Sequence, residues 1–254
     1  MQETRGKDWD QYWKDSDKNS GLFDVIAKFY RRFIISPTVR HYFHRYFVDA
    51  PGRVYVHAGC GSAESDNRIG FTRSRLVMMD ISTKGLAIAR RKTKHTGAHF
   101  VCGDIFHPPF KDGAVDGIWN LGVMEHFYEP EITQIFGEFG RVLKPGGRCL
   151  IFWPPCYGLS VIVLTTFLFF ANSIRKKPLV LYPDEVSRFR SKSWAKGFAT
   201  PAGLQVDRAH FGIRDVFTYV ILVMSKGNGE REAVRTAGTV TPAGSSSPIQ
   251  GPTV

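Results

Sequence analysis

The sequence predicts an α/β protein with a doubly wound, mostly parallel sheet, and three observations carry the prediction. Short apolar runs alternate with amphipathic helical stretches through the middle of the chain, as strands wound through crossover helices do. The first run, Val54 to Val56, breaks at once into Gly59-Cys60-Gly61-Ser62, where glycine lets the backbone turn sharply and approach a ligand. The second run, Leu76 to Met79, ends in Asp80, 19 residues after Gly61. In such a sheet these two strands are neighbours, and an acid ending the second can accept hydrogen bonds from ribose hydroxyls. Glu64 stands where a dinucleotide fingerprint needs its third glycine, and its charge would repel pyrophosphate. The pattern therefore favours a nucleoside without phosphates over NAD or FAD.

Taken in order, residues 1–47 read as an N-terminal helical cap. Trp9, Tyr12 and Trp13 precede a stripe of Phe23, Ile26, Phe29, Tyr30, Phe33 and Ile34 at helical spacing. After Pro37 a second stripe carries Val39, Tyr42, Phe43, Tyr46 and Phe47 among Arg40, His41, His44 and Arg45. Packing on the core is the preferred reading for both, because helical aromatic stripes are usually buried; a membrane interface is the alternative.

The core, residues 48–226, starts with a strand over 53–57. Residues 62–67 carry helix-start types, and the polar stretch 65–75 predicts a short or irregular first crossover. A strand over 76–80 and a helix from Thr83 to Lys94 follow. Ala98 to Cys102 forms the third strand, ending in Gly103-Asp104, and Val115 to Trp119 the fourth, ending in Asn120-Leu121-Gly122. A helix from Glu131 to Leu143 stops at Lys144-Pro145-Gly146-Gly147, and Arg148 to Trp153 is the fifth strand. Pro154-Pro155 makes a stiff exit from the sheet. Residues 156–200 read as a cap or lid insert, whose apolar run Leu159 to Ala171 is shorter than the roughly 20 residues of a bilayer span. Pro183-Asp184-Glu185 should open a helix to residue 197, and Leu204–Ala209 with Val216–Met224 should close the sheet. From Gly227 the composition turns to Thr, Pro, Gly and Ser, so 227–254 reads as a disordered tail.

A net charge of +11 suits an anionic partner, whether acidic metabolite, RNA or membrane face. The four cysteines, Cys60, Cys102, Cys149 and Cys156, have no metal-ligand spacing and read as buried free thiols of a reducing compartment. The polar N-terminus has no signal core, so the expected location is cytoplasmic, with peripheral attachment to a membrane as a variant.

The chain resembles a class I S-adenosylmethionine-dependent methyltransferase, in particular the type 11 small-molecule branch. The resemblance rests on five motifs in the family's order, covering roughly residues 50 to 155. They are His57-Ala58-Gly59-Cys60-Gly61-Ser62, Met79-Asp80-Ile81-Ser82, Cys102-Gly103-Asp104-Ile105, Asn120 through Phe127, and Leu143-Lys144-Pro145-Gly146-Gly147. It implies a Rossmann-like seven-stranded sheet with an antiparallel last strand and S-adenosylmethionine as cofactor. It also implies that His57, Gly59, Cys60 and Gly61 meet the methionine part and ribose, and that Asp80 takes the ribose hydroxyls. Ile81 should pack on adenine, and Asp104 with the backbone of Ile105 should meet its amino group, although Gly-Asp is also a common turn cap. Asn120, Leu121 and Gly122 should lie where the methyl meets its acceptor. Glu125 and His126 follow as candidate catalytic residues, His126 because imidazole titrates near neutrality, against a bracing role for both.

Two positions depart from the family. His57 stands where an acidic residue is usual, and Ala63 where a third glycine is common. They motivate a competing hypothesis, a cofactor-binding or scaffold protein without catalysis. The leading expectation is methyl transfer to a small hydrophobic acceptor with an O- or C-nucleophile, such as a lipid, quinone, polyketide or sugar derivative. Peripheral membrane contact is expected through residues 159–177, where Arg175-Lys176-Lys177 follows the apolar run. RNA has only the net charge behind it, and no feature points to DNA or a metal.

Overall fold

The computed structural model describes residues 8–18, 22–95, 97–158 and 185–228. One sheet holds β1 (Val54–Ala58), β2 (Arg75–Asp80), β3 (Ala98–Cys102), β4 (Val115–Leu121), β5 (Leu143–Trp153), β6 (Leu204–His210) and β7 (Val220–Lys226). Its order is β3-β2-β1-β4-β5-β7-β6, parallel throughout except for β7, which is antiparallel to both neighbours. The expected Rossmann-like sheet with an antiparallel last strand is therefore present. Strand order reverses between β1 and β4, so connections leave in opposite directions there and open a crevice at the strands' carboxyl ends.

The helices are α1 (Trp9–Lys18), α2 (Leu22–Tyr30), α3 (Ser36–Tyr46), α4 (Thr83–Lys92), α5 (Glu129–Val142) and α6 (Lys192–Ala199). A π-helical turn, Arg31–Ile35, joins α2 to α3. Strands β1 and β4 are buried on both faces, as parallel central strands require. One face carries Val56, Ala58 and Ile118 against Ile132, Ile135 and Phe136 of α5. The other carries Tyr55 and Trp119 against Val39 and Phe43 of α3, with the Phe43 and Trp119 rings edge to face at 4.9 Å. A Cβ on Gly117 would strike the Phe47 ring, so that glycine sets how close the end of α3 comes to β4.

Several local expectations are corrected. Helix α6 starts at Lys192, where the Ser191 hydroxyl accepts the Trp194 amide, and residues 185–191 are not helical. Strand β7 starts at Val220, because Val216 and Phe217 turn through left-handed conformations at φ +56° and +55°. Residues 144–147, expected to stop the helix, belong to β5, which follows α5 directly at Leu143 and is bulged opposite Val115 and Gly117. Cys102 and Cys156 are exposed, not buried, since each lies where the chain leaves a strand end. The stripe of α3 packs inward; of the first stripe Tyr30 and Ile34 pack on the core, while Ile26, Phe29 and Phe33 are exposed against the core reading, as is Val25 beside them. The first crossover is irregular as expected, a 3-10 turn over Glu64–Arg68. The run 159–171, Arg175 to Lys177, Pro183-Asp184 and the tail from residue 229 lie outside the described residues.

Candidate active site

The glycine turn after β1 is tied down by β2. The Met79 carbonyl accepts both the Gly59 and the Cys60 amides, at 2.9 and 3.0 Å. Gly59 and Gly61 have φ of +76° and +51°, left-handed values that favour glycine. Asp80 accepts the Gly61 amide at 2.7 Å and the Ser82 amide at 2.8 Å, one on each oxygen. Burial raises the Asp80 pKa while those two amides oppose the rise. A carboxylate has about four acceptor positions, so each Asp80 oxygen keeps one for a further donor. Next to it, Ile81 is 52% exposed at the rim of the crevice.

Asp104 accepts the Phe106 amide at 2.9 Å, the turn-cap geometry, with its second oxygen facing outward beside His107. Ile105 and Cys60 are buried, so their side chains belong to the core and only their backbones border the crevice. Leu121 likewise packs towards α3. Asn120 donates its amide to the Ala58 carbonyl at 2.6 Å, and its buried Oδ1 has no partner.

His57 does not stand alone. Its Nδ1 lies 2.6 Å from Asp66 Oδ2, and its ring stacks on Trp119 at 4.8 Å. The other Asp66 oxygen accepts the Trp119 indole N–H at 3.1 Å. With Asp66 on Nδ1, a neutral imidazole presents Nε2 as an acceptor, and that buried atom has no partner. Asp66, from the first crossover turn, thus places a buried carboxylate behind the His57 ring.

Helix α1 lies across the crevice. Asp10 accepts the Ser82 hydroxyl at 2.6 Å and the Lys84 amide at 3.2 Å, fastening α1 to the start of α4. The Trp13 indole lies against Gly61 and Gly85; a Cβ on either would meet it. Trp9 packs edge-on against His126 at 5.3 Å.

Beyond β4 the chain turns through Gly122, φ +66°, into a 3-10 turn over Met124–His126. Glu125 is fully buried; its main-chain carbonyl accepts the Val186 and Ser187 amides, and its Oε2 has no partner. Burial pushes its pKa up to about 8. A Cβ on Gly122 would lie 3.4 Å from Glu125 Oε1 and 3.5 Å from the Tyr219 hydroxyl, so these two groups face the end of β4 together. Burial also raises the Tyr219 phenol above its usual range.

The structure therefore brings the residues expected from β1, β2 and β4 to one crevice and adds Asp66, Asp10, Trp13 and Tyr219. No motif marks those four. Only the clustering of Trp9, Tyr12 and Trp13 hinted that α1 covers something apolar. Sheet order, glycine turn and acidic end of β2 define a doubly wound fold with a crevice of the kind that takes a nucleoside.

Comparisons with known proteins sharpen that class. A family model described as a methyltransferase domain matches residues 56–151. The demethylmenaquinone methyltransferase of Thermus thermophilus is 31% identical over 144 residues, covering 52% of this chain and 64% of that protein. The 24-methylenesterol C-methyltransferase 2 of Oryza sativa subsp. japonica is 30% identical over 102 residues, covering 38% and 28%. In fold, the chain is similar to magnesium protoporphyrin IX methyltransferase from Synechocystis, solved with bound S-adenosylhomocysteine. That match has a TM-score of 0.60 at 14% identity and covers 85% of this chain and 94% of that one. Across the first relatives matched, the chain spans 33%, 28% and 37% of their lengths. Residues 56–151 of the chain match a methyltransferase domain.

The residues present fit S-adenosylmethionine. The three buried polar atoms without partners around the crevice, His57 Nε2, Asn120 Oδ1 and Glu125 Oε2, are of the kind that can accept a hydrogen bond. Acceptors suit the cationic amino-acid and sulfonium end, Asp80 has capacity for ribose hydroxyls, and Ile81 offers an apolar surface to a ring.

Proposed function

We propose that the protein transfers a methyl group from S-adenosylmethionine to a small hydrophobic acceptor through an O- or C-nucleophile, with Glu125 as the base. Bound S-adenosylmethionine supplies a methyl on a sulfonium that a nucleophile takes in one displacement. In this reading Gly59 and Gly61 shape the turn beside the ligand, with Val123 and Trp13 packed on them, Asp80 holds the ribose, and Asp104 and Ile81 border the adenine. Asn120 and the Asp66-oriented His57 turn acceptors towards the ammonium. Trp13 and Trp9 close the crevice from α1 and keep water out.

The observation that carries the reading is Glu125. A carboxyl with a free oxygen, held beside Tyr219 at the end of β4 with a pKa near 8, can take the proton that a hydroxyl or acidic carbon loses. His126, packed on Trp9, acts through the lid rather than on the acceptor. Relatives described as sterol and demethylmenaquinone methyltransferases favour an apolar acceptor.

The test is a calorimetric titration with S-adenosylhomocysteine, followed by incubation of lipid-soluble extract with methyl-labelled cofactor. Micromolar binding and label in an extractable lipid support the reading. Tight binding with no label in any fraction would instead support the cofactor-binding scaffold.

A further inference from the structure

Ten large apolar side chains stand exposed among the described residues, and eight of them fall in one region. Val25, Ile26, Phe29 and Phe33 lie on α2 and the π-turn, with Phe29 62% exposed. Tyr157, Phe211, Ile213 and Val216 lie on the segment after β5 and the β6–β7 connection, with Ile213 75% exposed. The two groups are held together: the Tyr30 hydroxyl donates to the Asp215 carbonyl at 2.7 Å, and the Thr38 hydroxyl reaches the Arg214 carbonyl at 3.1 Å. Monomeric proteins rarely expose so concentrated an apolar surface without a partner.

Charge says which partner. Residues 25–48 contain Lys28, Arg31, Arg32, Arg40 and Arg45, with acids only at the flanking positions Asp24 and Asp49. Arg32 and Arg68 stand over the Phe33 ring at 5.8 and 5.9 Å, so cation and apolar group share one surface. Across the junction Arg214 adds another cation, while the neighbouring Asp215 is buried. An apolar face that also carries cations matches the interface of an anionic bilayer, where the rings enter the headgroup boundary and the cations meet phosphates. A second copy of a chain with net charge +11 would set like charges against each other. The uncharged run 159–171 would leave the cations unmatched.

We propose that this face, formed by α2, the π-turn and residues 211–216, docks the protein on anionic phospholipid membranes. The same junction borders Tyr219 and hence the end of β4, so docking would set the acceptor side of the crevice against the lipid. Docking of this face requires no methyl transfer, and membrane partitioning reads it directly.

The full chain is sedimented with vesicles of phosphatidylcholine alone and of phosphatidylcholine mixed with phosphatidylglycerol, at low and high salt. The expected result is binding to the mixed vesicles that weakens with salt. It should fall about tenfold or more in Ile213→Asp, Phe29→Asp and Arg32→Glu, whose side chains are exposed and whose melting temperatures should stay near that of the parent. Lys111→Glu, on another part of the surface, should bind as the parent does. Absence of binding to the mixed vesicles, or binding unaltered in all three variants, overturns the proposal. A dimer that dissociates in Ile213→Asp while the parent ignores vesicles assigns the face to a second copy. A parent that ignores vesicles, with variants that melt lower as monomers, assigns it to the chain's own apolar run.

Discussion

Glu125 and Asp66 are both buried carboxyls, and their surroundings treat them differently. Asp66 faces two donors, the His57 imidazole and the Trp119 indole. Glu125 has one oxygen with no partner, and burial pushes its pKa from 4.5 up to about 8. In the unfolded chain Glu125 ionises near its ordinary value, so between about pH 4.5 and 8 the folded state holds a proton that the unfolded state has lost. Stability from this group is complete below the lower value and is lost as pH rises through the higher one, at up to roughly 1.4 kcal/mol per unit. Glu125→Gln should flatten that dependence in denaturant melts taken from pH 5 to 9. The base, in contrast, works only when ionised. Activity of the parent should therefore climb towards pH 8 and level above it, and the glutamine variant should lose most of its rate at every pH. A variant that keeps both rate and profile would remove Glu125 from the chemistry.

His57→Asp shows how a sequence-level repair can fail. It restores the acid usual in the family but sets a second carboxyl against Asp66 in a buried site. Stability should fall by about 3 kcal/mol or more, read from the denaturation midpoint. Asp66→Ala, which strands the His57 and Trp119 donors together, should cost roughly 2–5 kcal/mol. Nothing at position 57 or 66 alone marked this pair, because the two side chains meet only when the turn after β1 folds back over Trp119.

At the scale of elements, α1 holds to the core by few contacts placed where they matter. Asp10 binds the first turn of α4, where backbone N–H groups have no helical partner, and Trp13 covers Gly61. Asp10→Asn and Trp13→Ala should each weaken S-adenosylhomocysteine binding in calorimetry while leaving the circular dichroism of the sheet unchanged. Affinity equal to the parent's in both would make α1 a bystander. A different element contact is steric. A Cβ on Gly140 of α5 would overlap the Ala202 carbonyl, which follows α6, so Gly140→Ala should destabilise by about 1–3 kcal/mol through forced separation of α5 from that segment.

For the whole molecule, the crevice at the reversal of strand order couples lid, glycine turn and β4 end into one ligand-linked unit. A ligand that binds only the folded chain raises its stability by mass action, about 2.7 kcal/mol at a hundredfold excess over Kd. S-adenosylhomocysteine should therefore raise the melting temperature of the parent, and raise it less in Trp13→Ala at the same concentration. An unchanged melting temperature in the parent would argue against the cofactor site.

What the sequence determined by itself was everything carried by local pattern. Apolar runs, glycine turns and Asp80 placed the parallel strands and the nucleoside end of the crevice, because strand period and turn chemistry are properties of a few neighbouring residues. Those signals failed in two places: α6 starts only at Lys192, behind the Ser191 cap, and Ile26, Phe29 and Phe33 are exposed although their spacing matches a buried helix. Tertiary structure alone decided that Asp66 serves His57, that Asp10 and Trp13 reach the glycine turn, and that Glu125 is closed off beside Tyr219. Those partners lie far apart along the chain, and only the packing of α1, the first crossover and β7 around β1 and β4 brings them within hydrogen-bond and van der Waals range.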